Sequence, residues 1–386
     1  MSQEKSSPFA AACRVFFRDK TALIGICGVG FLLFFAVFAP LIANGRPLIM
    51  VTGGNVSFPF LRYIFAPDST EVLVEKIFNY AMLLILLLPA VFIVPRRWRK
   101  FAAVAAAVLL LIPFIFTGSK MDKTDFRTKA EQADWALFTV IPYSPDEFVG
   151  KPCEEPGKTH ILGCDDIGRD LASRLIYGGR VSLAVGLLST LIAMLIGVAV
   201  GMTAGYYRGW FDLAVMRLVE VMLCFPTFLL LLILMTMLGD HKISQSIPLV
   251  IMVLGLTGWL QLAFLVRGEV LKQSSMPYIQ SCAVSGVPDR YIMFRHLLPN
   301  IIPPVLISFT FAISGAILGE SGLSFLGFGV QPPTASWGNL LRQSFNSSLY
   351  YWHLTLFPGL ALFIAVLAFN FTGEGLRRAF DSGGTR

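Results

Sequence analysis

The chain has 386 residues, of which 55% are hydrophobic and only 14% charged, with a formal net charge of +7 at neutral pH. Ordinary soluble domains are about a quarter charged, so this composition excludes a water-soluble globular domain, and the mean hydropathy of +0.69 agrees. Nucleic-acid binding is excluded as well, because the basic residues fall in short clusters between long apolar runs.

About 20 apolar residues cross a hydrocarbon core. Long uncharged intervals predict eight spans, at about 22–43, 77–94, 101–117, 181–205, 214–238, 247–266, 301–320 and 355–376. The expected fold is all-α, a polytopic membrane protein of about eight transmembrane helices. The stretch Thr21 to Gly45 exceeds the roughly 7–15 apolar residues of a signal peptide. Leu41 and Ala43 make a poor small-x-small cleavage site, so the first span reads as an uncleaved anchor. Lys and Arg mark the cytoplasmic side of membrane proteins. Here they precede span one (Arg14, Arg18, Lys20), join spans two and three (Arg96, Arg97, Arg99, Lys100), and follow the last (Arg377, Arg378). Both termini are therefore expected in the cytoplasm. The resulting division is 1–45, the N-terminus and first span; 46–180, outer segments with an extra hairpin (77–117); 181–377, a helical core with a cytoplasmic loop at about 267–300; and 378–386, a tail.

The outer segment 118–180 holds Pro142, Pro145, Pro152 and Pro156 and is expected to be loop-rich. It contains Cys153 and Cys164, on the side where a disulfide persists; a bridge between them and two unpaired thiols are both open. The turn Leu162–Asp170 packs together Asp165, Asp166, Arg169 and Asp170. Three readings stand: a contact surface for a partner, a divalent-cation site through carboxylate oxygens, or an internally paired turn. In span four, Gly197, Gly201 and Gly205 fall on one face and predict close helix packing against a neighbour that the sequence does not name. Pro226 predicts a kink in span five, and Arg217 and Glu220, three apart, a local ion pair. Glu320, at the outer end of span seven, faces protein or water, because an acid in lipid costs about 2.5–3.5 kcal/mol. It either lines an outer vestibule or satisfies a helix end.

The segment 277–300, PYIQSCAVSGVPDRYIMFRHLLPN, is a basic amphipathic pair of short helices between two spans. Ser274 or Ser275 is expected to cap the first helix, Gly286 to end it, Pro288 to start the second and Pro299 to stop it. Tyr291, Phe294 and Leu298 follow a 3.6-residue rhythm. Such a hairpin docks into a partner's groove or lies on lipid headgroups.

Gly286, followed by His296-Leu297-Leu298-Pro299-Asn300, resembles the cytoplasmic "EAA" loop of ABC-importer permeases. The segment Leu162 to Asp170 with Ser173 to Gly178, then Gly205-Tyr206-Tyr207-Arg208-Gly209, Gly322 to Gly327, Gln331-Pro332-Pro333, Ser336-Trp337-Gly338 and Phe357-Pro358-Gly359, resembles the C-type permease of the oligopeptide/dipeptide importers in family order. Where the family loop carries Glu-Ala-Ala, this chain has Gln280-Ser281-Cys282, so an ion pair with a partner is lost at that position. The resemblance implies a six-helix type I permease core plus the extra hairpin, in the bacterial cytoplasmic (inner) membrane. It implies peptide uptake by alternating access, with ATP and Mg bound by two cytoplasmic ATPase subunits, and no cofactor on this chain. A homologous second permease, an extracytoplasmic substrate-binding protein, peptide substrate and membrane lipid complete the implied partners. The coupling role falls on Gly286, Asp289, Arg290, His296, Pro299 and Asn300. Nickel or another small solute is an alternative cargo, and a membrane scaffold or embedded enzyme the alternative class.

The chain has no G-x-x-x-x-G-K-[ST], no H-E-x-x-H and no G-x-S-x-G. His160, His241, His296 and His353 show no ligand spacing, so neither a catalytic nor a metal site is expected.

Overall fold

Backbone inside hydrocarbon has to satisfy its own hydrogen bonds, which makes helices of the uncharged intervals. A computed structural model describes residues 8–67, 72–117, 126–240, 246–346 and 350–383. Residues 1–7 and 384–386 of the expected terminal segments, and His241, lie outside the described residues. Helices long and apolar enough to cross a membrane are Lys20–Val37, Val72–Ile93, Arg99–Phe116, Leu171–Tyr207, Ile247–Ser274, Leu298–Leu326 and Trp352–Gly383. The remaining expected span is a broken pair, Gly209–Leu223 and Thr227–Asp240, bent by 89°. Pro226 sits at the break, where its ring and missing N–H turn the expected kink into an interruption.

The segment 46–180 adds one small antiparallel sheet in the order β2-β1-β3, from β1 (Ile49–Thr52), β2 (Asn55–Ser57) and β3 (Trp135–Leu137). Its strands of three and four residues are too short to show a period in the sequence.

The chain divides into two compact units, one from residues 1–30, 185–323 and 362–386, the other from 31–184 and 324–361. In the first, the glycine face of Leu171–Tyr207 lies against Ile247–Ser274. A Cβ at Gly197 would sit 2.7 Å from Leu262 Cβ, one at Gly201 2.9 Å from Val266 Cβ, and one at Gly205 3.0 Å from Val270 Cβ. Only hydrogen at Gly197 and Gly201 permits that approach, and a Cβ at Gly205 would need its neighbours to give by a few tenths of an ångström. Further out, Arg378 reaches Asp19 at 3.2 Å, and Ala12, Phe16, Ala22 and Ala379 bury one another.

In the second unit the extra hairpin Val72–Ile93 and Arg99–Phe116 is stitched by Lys76 Nζ, which donates to the carbonyls of Phe114 and Thr117, both at 2.7 Å. Arg180, fully buried, donates to Asn79 Oδ1 on this hairpin at 2.9 Å and to the carbonyls of Ala36 and Val37 at 2.6 and 3.1 Å. Those carbonyls belong to the open C-terminus of a helix. Leu171–Tyr207 starts at Leu171 and not at 181, because Asp170 caps it: its Oδ2 accepts from the Ser173 N–H at 2.8 Å. Arg174 and Arg180 made this first stretch look like loop, yet both are buried and partnered. Trp337 Nε1 donates to the Leu175 carbonyl at 3.0 Å, so the motif stretches 173–178 and 336–338 pack on each other.

Candidate functional site

The 277–300 segment forms the two short helices that its sequence predicts. The first is Pro277–Val284. Its N-cap is Met276; the hydroxyls of Ser274 and Ser275 instead bond back to the carbonyls of Val270 and Lys272, both at 2.7 Å. Gly286 has φ +75°, and the Gly286 and Val287 N–H groups close on the carbonyls of Ala283 and Cys282, both at 3.1 Å. This double bond pattern is a Schellman turn, whose left-handed residue is normally glycine. Nothing stands within 4 Å of the position a Cβ would take at Gly286, so the conformation alone requires the glycine.

Pro288 then opens a helix at Asp289–Tyr291, which passes through a π turn, Ile292–Leu297, into Leu298–Leu326. Pro299 was expected to stop it. The helix continues because the wider turn shifts the bonding pattern just ahead of the proline, with Leu298 N–H reaching back to Met293. The apolar residues divide into two sets. Ile279, Ile292, Met293 and Leu297 are buried against Met202, Val266, Val270, Ile301 and Val305. Val284 (91% exposed), Phe294 (61%) and Tyr291 (54%) face outward. Arg290 is exposed beside them.

The other predicted loop residues make ties within the chain. Asp289 accepts from the Tyr206 hydroxyl at 2.8 Å. Asn300 Nδ2 donates to the His296 carbonyl at 2.8 Å and to the Tyr278 hydroxyl at 3.0 Å. His296 lies edge-on to Tyr291, with ring centres 5.6 Å apart, and its Nε2 is 4.0 Å from Cys282 Sγ. Gln280 Nε2 reaches the Ser275 carbonyl at 3.3 Å. Sequence reasoning missed the clamp behind the loop, in which Arg267 holds Asp212 through two hydrogen bonds, one of 2.6 Å. The pair is 55 residues apart, so no local spacing announces it.

Within the same unit a cavity of about 490 Å³ opens between helices. Ser189, Thr190, Thr227, Thr257, Gln261 and Ser308 supply its polar groups, and among the described residues no charged side chain lines it. Glu320 is fully buried outside that lining, within the helix Leu298–Leu326 and not at its end, and accepts from Ser321 Oγ at 3.3 Å. Arg217 and Glu220 pair at 2.7 Å as their spacing predicts.

The acidic turn corrects its first reading. Asp165, Arg169 and Asp170 are buried, so they do not present a contact surface. Asp165 Oδ1 accepts from the N–H groups of Ile167 and Arg169 at 3.1 and 2.8 Å. Its Oδ2 lies 2.7 Å from Arg169 Nε and 3.2 Å from Arg174 Nε. The turn is internally paired. Asp166 is half-buried, and burial together with neighbouring Asp165 pushes its carboxyl above the usual range. No disulfide joins Cys153 to Cys164. The Cys164 sulfur instead lies with Glu154 and His160, whose ligand atoms are all within 4.8 Å of one another. Burial, then Glu154, Asp170 and Asp165, push this thiol up to about 12.

A family model described as the binding-protein-dependent transport system inner membrane component matches residues 197–384. A second, the N-terminal TM domain of oligopeptide transport permease C, matches residues 7–50. The chain is 36% identical over 292 residues to the glutathione transport system permease protein of Pectobacterium atrosepticum, covering 74% of this chain and 89% of the relative. Against the protein of the same name from Escherichia coli it is 38% identical over 299 residues, 74% of this chain and 97% of the relative. The chain belongs to the peptide family of ABC-importer permeases. It is a non-catalytic, multi-pass subunit of the bacterial inner membrane, part of a transporter with ATPase and binding-protein partners. The hairpin at 77–117 falls between the two stretches that the family models match.

Proposed function

We propose that this permease is driven through its 277–300 loop by a cytoplasmic ATPase. The observation that carries the reading is the division of apolar residues on the loop. Val284, Tyr291 and Phe294 are free for a partner's groove, while Ile279, Ile292, Met293 and Leu297 are locked into the long helices behind them. A push on the first set is therefore delivered to the spans by the second. Gly286 and Pro288 fix the elbow between the two helices, Arg290 is the polar contact, and Asp289, His296 and Asn300 keep the loop in shape.

In this account two ATPases and a homologous second permease complete the membrane assembly, with both termini of this chain in the cytoplasm. Closure of the ATPases shifts the populations of outward- and inward-open states. The cargo is a short peptide. The cavity offers hydroxyl and amide groups that bond peptide backbone whatever the charge of its side chains, and its volume lies in the range of small-molecule pockets, about 300–1,000 Å³. The two relatives above are named for glutathione, itself a tripeptide.

Co-purification tests the loop. Val284→Asp with Phe294→Ala is expected to remove the ATPase from detergent-solubilised complexes while the permease still runs as a monodisperse species. Retention of the ATPase and of peptide uptake in this variant would overturn the reading. Calorimetry of the cognate binding protein with di-, tri- and oligopeptides and with nickel separates the cargo classes.

A further inference from the structure

We infer that Glu154, His160 and Cys164 form a binding site for a divalent cation of the zinc class. One carboxylate oxygen, one imidazole nitrogen and one sulfur all lie within 4.8 Å of each other. Tetrahedral zinc, with bonds of about 2.0–2.3 Å, sets its ligands roughly 3.3–3.8 Å apart, so contraction by about an ångström completes the geometry. The donor set excludes calcium and magnesium, which take oxygen ligands. Mixed oxygen, nitrogen and sulfur suits zinc and its spectroscopic substitute cobalt.

Two further features point to a built site. Asp170 Oδ1 lies 3.0 Å from His160 Nδ1, and both side chains are buried. A carboxylate on one ring nitrogen fixes the tautomer that leaves the other, Nε2, as the ligand atom, which is the usual support of a metal-bound histidine. The second feature is Gly150. A Cβ built there would stand 2.9 Å from Glu154 Oε2 and 3.1 Å from His160 Nε2, and closer still to Cys164 Sγ. All three ligand atoms thus converge on the one place that this residue leaves open. Gly150 is not among the glycines with positive φ, so space and not backbone conformation is what a side chain would violate.

The backbone holds the ligands in register without the metal. Cys153 N–H bonds to the Asp165 carbonyl at 2.8 Å, Cys164 N–H to the Glu154 carbonyl at 2.9 Å, and Gly163 N–H to the His160 carbonyl at 3.0 Å. A bound ion would staple this knuckle to Asp170, the cap of the Leu171–Tyr207 helix. A Cys153–Cys164 disulfide and the metal exclude each other, since both need the same sulfur.

The test uses the full chain, purified in detergent under reducing conditions, stripped with chelator and titrated with cobalt, then zinc. The expected result is one ion per chain and a sulfur-to-cobalt charge-transfer band in the near ultraviolet. Cys164→Ser removes the band, Cys153→Ser keeps it, and Gly150→Ala weakens binding at least tenfold. Asp170→Asn, which retains a good helix cap, weakens it about 10–100-fold. His160→Gln gives an independent ligand deletion should Cys164→Ser fail to purify as a monodisperse species. Wild-type chain that binds no more cobalt than His160→Gln, a band that survives Cys164→Ser, or one that disappears in Cys153→Ser would overturn the proposal.

Discussion

Two turns of this chain look alike as sequence and differ as structure. Leu162–Asp170 and Gly286–Arg295 are both short, polar and charged, and both lie outside the apolar runs. In the first, Asp165, Arg169 and Asp170 are turned inward: Asp165 pairs with Arg169 and Arg174, and Asp170 with His160 and the Ser173 N–H. In the second, Tyr291 and Phe294 are turned outward while Ile292 and Met293 are buried, and Asp289 braces the turn against Tyr206. Charge in a turn is therefore no guide to which surface meets a partner. What distinguishes the two is whether the charged groups have complements nearby: Asp165 has two arginines within reach, whereas Arg290 stands exposed beside apolar side chains.

The sharpest way to break this contrast is to remove Asp165. Asp165→Ala leaves Arg169 and Arg174 buried without their shared carboxylate, which costs about 3–5 kcal/mol. The expected outcome is loss of folded, membrane-inserted protein, read as yield of monodisperse permease and a lowered Tm. Wild-type yield and Tm would mean that the turn is not held by its ion pairs. On the other side of the comparison, Phe294→Ala alone should leave the Tm unchanged and weaken ATPase binding by about 2 kcal/mol, near thirtyfold, if it is one of the central contacts. An equilibrium titration of purified ATPase against permease in nanodiscs measures this.

Gly286→Ala comes next. Its left-handed conformation costs a residue with a Cβ about 1–2 kcal/mol, with no steric addition, since the space is open. Asn at 286 should recover part of the loss, and hydrogen exchange over Pro277–Val284 separates the two variants. The smallest effect belongs to Asp19. The Thr21 side-chain and backbone bonds, and then Arg378, hold its carboxyl below the usual range. A depressed acid contributes stability that is fully present above its unfolded value of about 3.9 and is lost as pH falls through the folded one. Asp19→Asn should therefore loosen the tie between residues 19 and 378 at neutral pH and make no difference in strong acid. Exchange of the Pro8–Phe16 helix as a function of pH checks this.

The spans were legible because a run free of charge about 20 residues long has few structural outcomes. The elbow was legible because Gly-Val-Pro is turn chemistry at fixed offsets. Three things were hidden, each for a physical reason. The start of Leu171–Tyr207 was masked by Arg174 and Arg180, whose burial depends on partners as distant as Asn79 and Ala36. The outward and inward apolar sets of the loop were merged, because the π turn resets the 3.6-residue count between Tyr291 and Leu298. The Glu154, His160 and Cys164 cluster escaped notice because its spacing matches no ligand motif. It exists through a folded-back knuckle and a glycine, Gly150, that spacing rules do not include.

The central claim is that an ATPase grips the loop at its exposed apolar face. The most direct test puts a photo-reactive or disulfide cross-linker on Cys substituted for Val284, in inside-out membrane vesicles made from cells that express the whole transporter. The account predicts a cross-link to the ATPase that strengthens or fades with nucleotide. Labelling of that cysteine only by reagents added to the outer face of intact cells, with no ATPase adduct, would contradict it.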